Sequence, residues 1–372
     1  MPVDWAAIRS EFPALQNWTF LNTATFGQLP RRATEAVNRH FFHRDEMACW
    51  DFLDWFDDAD RIRESVASLI HCEAGDIAFI QNAASALSLL IDGIEWKEGD
   101  RIVTLRDEFP NNLYHPSVLE TKGVQCVEVD WSEFYQAIDE RTRLVAMSTV
   151  NYTSGLRPAA EEVSRYLRER GVALYLDGTQ SVGALEFDTA RIRPDVLAVH
   201  GYKWLLSPNG AGFMYVAPEL RERLQPSVIG WRSHKDWRNV DNLHHGAPEF
   251  KHEAEKYEGG MLPFPLLYAM GASVEMMLEI GPAEIENRVL GLTAQLRDSL
   301  RAMGASVLDG RDYCSPITAA RFDNVDASRL ARELKQRRVL VSARHGNVRI
   351  SVHFYNNEAD LERFSRELQA LL

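Results

Sequence analysis

Two residues of opposite chemistry, Asp177 and Lys203, stand twenty-six positions apart, each just past a short apolar run: ALYLD (173–177), and DVLAV (195–199) followed by HGYKWL (200–205). Runs of that length and composition read as buried strands. In an open α/β sheet, ligands bind outside the carboxyl ends of the strands, so two neighbouring strands deliver an acid and an amine to one crevice. Such a pair suits pyridoxal phosphate. A lysine amine holds its aldehyde as a Schiff base, and a carboxylate facing the ring nitrogen keeps that nitrogen protonated so that the ring draws off electrons. The amine has to be neutral for this, and burial beside apolar groups such as Trp204 favours the neutral form. Gln180, three residues after Asp177, is placed to hydrogen-bond the ring hydroxyl. A helix-capping Asp177 and a surface-loop Lys203 account for the same two residues, and the pair alone leaves both readings open.

The elements that must position such a pair are visible around it. DIAFI (76–80) precedes SALSLLIDGI (85–94), RIVTL (101–105) precedes a loop rich in Pro and Asn, and LVAMSTV (144–150) precedes AAEEVSRYLRERG (159–171). The last has apolar residues at helical spacing and stops at Gly171. ALYLD, DVLAV and GFMYV (212–216) follow. Strand and helix in this rhythm predict right-handed crossovers and a mostly parallel sheet covered on both faces, an α/β fold. After about residue 262 the texture changes to long helical stretches, then PITAARF, SRLARELKQRR, VLVSAR, VRISVHF and ADLERFSRELQALL, which predict a smaller α+β domain.

Composition bounds the functional class. The 372 residues are 45% hydrophobic and 26% charged, an ordinary globular balance long enough for a large domain and a smaller one. A net charge of −13 disfavours nucleic acid and anionic membrane as partners, and no basic patch offsets it. The four cysteines (Cys49, Cys72, Cys126, Cys314) are scattered without a CxxC pair, so neither a zinc site nor a disulfide framework is expected. The first residues carry acids and no unbroken apolar core, unlike a signal peptide, and no run approaches the roughly 18 apolar residues of a membrane span. A soluble cytoplasmic enzyme is the expectation.

The segment in which DGTQ (177–180) is followed by GYKWLLSPNGAGF (201–213) resembles the class V aminotransferase superfamily of fold-type I pyridoxal phosphate enzymes. That superfamily includes cysteine desulfurases, kynureninases and isopenicillin N epimerase-like proteins. The similarity runs from FLNTATFGQLP (20–30) to VRISVHFYNN (348–357). It implies pyridoxal 5′-phosphate as cofactor, an amino-acid substrate, and a homodimer with active sites near the interface. It also implies a three-layer, mostly parallel sheet in a large domain (20–262), a smaller C-terminal α+β domain (263–372) and an N-terminal arm (1–19) packing on the small domain. Lys203 would be the Schiff-base lysine, Asp177 the pyridine-nitrogen partner and Gln180 the ring-hydroxyl partner.

The resemblance extends to other positions. QNAASALSLL (81–90) lies where the family has a strand-to-helix turn holding the cofactor phosphate; backbone N–H groups and the helix dipole attract an anion there. Ala83 and Ala84 stand where hydroxyl residues are usual, leaving backbone donors and Ser85. His200 takes the place of a phosphate-binding serine and could supply a charged hydrogen bond. DEFPNNLYHP (107–116) resembles the loop that stacks on the pyridine ring, which makes Phe109 the stacking residue where desulfurases carry histidine. Asn151, at another strand end, could touch the ring hydroxyl or the substrate carboxylate, or simply form a turn. Arg349 matches the family's carboxylate-binding arginine, and Arg344 is a second candidate charge; an arginine fork meets a carboxylate best. KYEGGMLPFP (256–265) resembles the segment that crosses the dimer interface, with Met261 where a phosphate-binding threonine is common. Trp231 falls at another interface position, or packs.

The cofactor fixes the reaction family more than its outcome. Aminotransfer and β-elimination at Cα or Cβ are the leading outcomes; epimerisation, decarboxylation or oxidative deamination are alternatives, and a catalytically silent ligand-binding relative is another. A Rossmann dehydrogenase is disfavoured, since no GxGxxG follows an early strand. Residues 341–349 read VSARHGNVR, short and without the nucleophilic cysteine that desulfurases carry before their carboxylate arginine, and this argues against a persulfide route.

Overall fold

The computed structural model describes residues 3–243 and 246–372. Its centre is a seven-stranded sheet: β1 (Ile77–Ile80), β2 (Arg101–Leu105), β3 (Gln125–Val129), β4 (Thr142–Ser148), β5 (Ala173–Asp177), β6 (Val196–His200) and β7 (Gly212–Val216). The spatial order is β1-β7-β6-β5-β4-β2-β3. Strand β7 runs antiparallel to both of its neighbours, and the pairs β6–β5, β5–β4, β4–β2 and β2–β3 are parallel. The exception has a simple origin. A parallel crossover needs a dozen or more residues, usually with a helix. The stretch from Gly201 to Ala211 that joins β6 to β7 carries Lys203 in a helix-free loop, so the chain turns straight back.

Side chains alternate between the two faces of each strand, and the core divides accordingly. Ile77, Phe79, Val103, Val145, Leu174, Leu176 and Leu197 enter one apolar cluster, whereas Ala78, Ile102, Leu144, Tyr175, Val196 and Ala198 enter the other. Helix α2 (Asp54–Ile70) belongs to the first layer and α3 (Ala83–Asp92) to the second, and α1 (Arg31–Met47) meets the first layer through His40, whose ring packs edge-on to Trp55. This is the expected three-layer arrangement.

The small unit carries an antiparallel sheet of β8 (Ser306–Val307), β9 (Ile317–Arg321), β10 (Ser342–Arg344) and β11 (Asn347–Ser351), in the order β10-β11-β9-β8. Its core includes Leu296, Leu330, Ile350 and Phe364. Residues near the N-terminus reach it: Arg9 is paired with Asp360, and Thr19–Phe20 lies parallel to Val339–Leu340. The large apolar cluster continues past residue 262. Helix α4 (Phe264–Ile280) lies on α1 and α2, and Met270 and Val274 join the large core. The chain breaks at Gly281, with φ of 97°, before Pro282 opens the next helix. The change of texture near 262 marks the end of irregular loops, not the end of the large packing unit.

Candidate active site

The carboxyl ends of β4, β5 and β6 meet at one pocket. Parallel register places Ser148 beside Asp177 and Asp177 beside Ala198, two residues before the end of β6. Asp177, Lys203, Gln180, Phe109, His200 and Ala83 line the same pocket, together with Thr179, Ser148, Tyr152 and Tyr202. The Lys203 Nζ lies 5.2 Å from the centroid of the Phe109 ring and 5.3 Å from that of Tyr202. The lysine backbone is held from the N-terminal side: Gly27 N–H donates to the Tyr202 carbonyl, and a Cβ on Gly27 would stand 1.9 Å from the Lys203 carbonyl oxygen. Only glycine admits that approach.

Charges in the pocket are set by burial first. Burial pushes the Lys203 amine down to about 8, Asp177 pulls the other way, and Arg349 and Arg344 lower it further. Burial raises the Asp177 carboxyl, against hydrogen bonds from Thr179 and the charge of Lys203. The Thr179 backbone N–H donates to Asp177 Oδ1 at 2.9 Å. A lysine with this pKa has a neutral fraction that grows about tenfold per pH unit below 8 and saturates above it. Capture of added pyridoxal phosphate by the apoprotein, followed through the visible band, is therefore expected to accelerate from pH 6.5 to about 8 and then level off. A rate still climbing tenfold per unit at pH 9.5 would place the amine in solvent.

Gln180 is fully oriented. Trp204 Nε1–H donates to its Oε1 at 2.8 Å, and its Nε2 donates to the Ala24 carbonyl at 3.1 Å, leaving one amide hydrogen. Asn151 is committed to a turn: its Oδ1 accepts from the backbone and hydroxyl groups of Thr153 and Ser154, and its Nδ2 donates to the Asp107 carbonyl. Of its two expected roles, the turn accounts for these contacts.

The phosphate end differs from expectation in two respects. Ser85 is exposed, its backbone N–H donates to Asn82 Oδ1, and its hydroxyl donates to the Asn82 carbonyl; the helix cap occupies both donors. This leaves the first N–H groups of α3 at Ala83 and Ala84, and Tyr175 ties that turn to the sheet through the Ala83 carbonyl. Burial, assisted by Lys203, pushes the His200 imidazole down to about 4, so it is neutral at pH 7 rather than the charged donor expected. Gly210 N–H points at His200 Nε2 at 3.4 Å, which assigns the proton to Nδ1. Met261 is 61% exposed, and Trp231 packs against Phe56 and Trp237 within the chain.

Several pocket residues carry no signal that sequence reasoning used. Glu108 is buried and accepts from Ser148 N–H (2.7 Å), Ser148 Oγ (2.5 Å) and Asn112 Nδ2 (3.0 Å), which fastens the Phe109 loop to the end of β4. Burial raises its pKa. Tyr202 and Tyr152 supply further aromatic wall; Tyr202 stacks edge-on to His200 at 4.4 Å, and Tyr152 edge-on to Phe109 at 5.3 Å. The resemblance of DEFPNNLYHP to a ring-stacking loop gave Phe109 a place but no hint that the preceding glutamate turns inward.

Arg349, on β11, is 1% exposed. It donates to Ser342 Oγ, the Tyr152 carbonyl and Thr25 Oγ1, all neutral acceptors. Among the described residues no carboxylate lies within ion-pair distance of it, and the same holds for the half-buried Arg344. Burial and the like charge of Arg344 push the Arg349 guanidinium down to about 9, still charged at neutral pH. A buried cation without a protein counter-charge is costly unless an anion arrives. Cys314 lies apart from this pocket, in a cleft with Arg157, Glu286 and Asp312, and burial raises Cys72 to about 12 and Cys126 to about 11, far from nucleophilic thiolates.

The donor set fits pyridoxal phosphate at the ring and at the amine: a buried acid, a largely desolvated lysine and a flat aromatic face share one pocket. It fits the phosphate through backbone donors at a helix start. Among the described residues no group of three or more His, Cys, Asp or Glu could hold a metal ion, and no helix is long and apolar enough to cross a membrane.

A family model described as Aminotransferase class-V matches residues 54–364. A protein of Methanothermobacter thermautotrophicus described as "Probable cysteine desulfurase" is 24% identical over 399 aligned residues, which cover 98% of this chain and 97% of that protein. The isopenicillin N epimerase of Streptomyces clavuligerus is 28% identical, with 99% and 98% covered. Among solved structures, the apo cysteine desulfurase from Thermococcus onnurineus NA1 has a TM-score of 0.88 at 20% identity, over 100% of this chain and 98% of that one, and so shares its fold.

Proposed function

The chain belongs to the aminotransferase class-V family, whose enzymes work with pyridoxal 5′-phosphate, and from that premise we propose that it acts at Cα or Cβ of an amino acid through Lys203. The carrying observation is the Lys203 amine, buried, pushed down to about 8 and 5.2 Å from the Phe109 ring in the pocket that also holds Asp177. When bound, the cofactor supplies an aldehyde for the amine and a protonated ring that accepts the electron pair released at Cα. Lys203 holds that aldehyde and then moves the Cα proton. Asp177 keeps the ring nitrogen protonated. Gln180 offers its remaining amide hydrogen to the ring hydroxyl, Phe109 covers one ring face, and the Ala83 and Ala84 N–H groups hold the phosphate with His200 as a neutral donor. Arg349 binds the substrate carboxylate. Phe109 has no proton to exchange at Cα, and the Lys203 amine is the base this reading assigns.

Aminotransfer and β-elimination are the outcomes this arrangement supports. The β10–β11 hairpin closes in a tight turn at His345 and Gly346, without room or a thiol for the persulfide route. The free cysteines suit the cytoplasm. Exposed apolar side chains at Phe26, Phe42, Trp50, Val228, Ile229 and Met261 support a homodimer.

A panel of amino acids tests the reading: keto acid that returns to amino acid with an acceptor indicates aminotransfer, and pyruvate released with thiol indicates elimination. Protein that shows no visible cofactor band and turns over no amino acid would refute it. Within that test, Arg349→Ala is expected to raise KM for carboxylate substrates by about 10- to 100-fold, the worth of a charge-assisted hydrogen-bond pair, while the cofactor band persists. An unchanged KM would remove Arg349 from the site.

A further inference from the structure

We propose that Arg344 recognises a second acidic group, at the far end of the substrate side chain, so that the enzyme prefers dicarboxylic amino acids or others with a distal anion. This deepens the amino-acid reading at Lys203 and rests on it.

The argument starts from register. On the β10–β11 hairpin, Ser342 pairs with Arg349 and Arg344 with Asn347. Residues two apart on a strand share a face and cross-strand partners share a face, so Arg344, Ser342 and Arg349 all lie on one side of the hairpin. Arg349 and Arg344 are diagonal neighbours, at a spacing of roughly 7–8 Å. That side looks onto the cofactor pocket, because Arg349 reaches the Tyr152 carbonyl and Thr25 Oγ1 from it.

Several partly or fully buried arginines of the chain are matched by acids: Arg32 by Glu11, Arg63 by Glu258, Arg157 by Glu286, Arg232 by Glu255 and Glu258. Arg297 and Arg288 instead spend their donors on several neutral oxygens inside the fold. The hairpin pair has no acid either, and it borders the cofactor pocket. Arg344 donates to a neutral acceptor, the Ala343 carbonyl, and the nearby Asp107 is 3.9 Å from His345 instead. The positive field of Arg344 is felt inside the pocket, since it lowers both Lys203 and Arg349.

One α-carboxylate neutralises one guanidinium. The deeper Arg349 is the one whose fork is fixed by three neutral acceptors and sits closest to the large-domain wall. A neutral side chain would leave Arg344 facing the occupied site as an unmatched charge. A side chain ending in a carboxylate, or an anion of similar size such as a sulfinate, meets it at the mouth.

The test uses the cofactor-loaded full chain. Rates are compared for L-aspartate and L-glutamate against L-alanine and L-2-aminobutyrate, and the shift of the visible band is titrated with succinate and glutarate against butyrate. The expected result is at least a tenfold advantage in kcat/KM for one of the dicarboxylic substrates, and a tenfold lower half-saturation for a non-reacting diacid than for butyrate. Arg344→Gln, at a half-buried position, is expected to erase both advantages through KM, bringing the ratio of dicarboxylic to neutral kcat/KM down to about one. Equal handling of neutral and dicarboxylic substrates, or an equal loss for both in Arg344→Gln, would overturn the proposal. A chain that forms no cofactor band at all would strike the Lys203 reading itself, a failure visible before any substrate is added.

Discussion

Lys203→Ala is expected to abolish the borohydride-sensitive visible band and to lower turnover by at least about 10³-fold, because the same amine holds the cofactor and moves the Cα proton. The two losses should separate. Pyridoxal phosphate still has the Phe109 face, Asp177 and the start of α3, so the variant should bind it non-covalently and show the absorbance of the free aldehyde. Small added amines should restore part of the rate, since the cavity left by three methylenes and an amine lies in the pocket itself. Folding is not expected to suffer, because a buried amine pushed down to about 8 costs the protein desolvation free energy. A variant that keeps the imine band would move the covalent linkage to another lysine, and the reading of the pocket would fall with it.

Asp177→Asn separates electrostatics from shape. Asparagine keeps an oxygen for the Thr179 N–H, so the loop geometry is retained. It removes the negative charge that holds a ring nitrogen protonated, and the expected cost is about 10²- to 10³-fold in turnover, the size of effect seen when a preorganised stabilising group is deleted. The stability change has the opposite sign. Burial raises the folded pKa of Asp177 above its unfolded value, so its contribution to stability is present at low pH and lost as pH rises through the raised value. Once ionised, the buried carboxylate is a burden on the cofactor-free fold. Cofactor-free Asp177→Asn is therefore expected to melt no lower than the parent at pH 7, and the gap should close at pH 4. A variant as active as the parent would exclude Asp177 as the nitrogen partner.

Much of the large domain was legible because buried strands of a mostly parallel sheet are apolar on both faces and read as short continuous runs. ALYLD, DVLAV and GFMYV needed no more than that. QCVEV, strand β3, escaped notice because it is the sheet's edge, with Gln125 and Glu128 exposed, and its pattern is that of a half-wet segment. The direction of β7 was invisible: a strand's sequence looks the same read into a parallel or an antiparallel ladder, and the short connection from Gly201 to Ala211 decides it. The placement of α4 was missed because Leu267, Met270 and Val274 are apolar wherever the helix packs.

The site divided along similar lines. Asp177, Gln180 and Lys203 follow strands directly, so strand position alone aims them at the crevice. Glu108 did not stand out, since an acid in a Pro- and Asn-rich loop is ordinarily solvated; Ser148 and Asn112, from other elements, turn it inward. Ser85 looked like a free donor until the Asn82 cap claimed it.

The order of residue types along the chain determined which chemistry was possible, because amine, acid, amide and guanidinium are covalent facts and the strand pattern fixes which of them leave the sheet at its carboxyl edge. Tertiary structure decided their charge states and pairings. Lys203 feels Arg344 and Arg349 across contacts that no local pattern encodes. Protonation depends on desolvation and on neighbours a few ångströms away, and in a folded chain those neighbours are set by packing between segments more than a hundred residues apart.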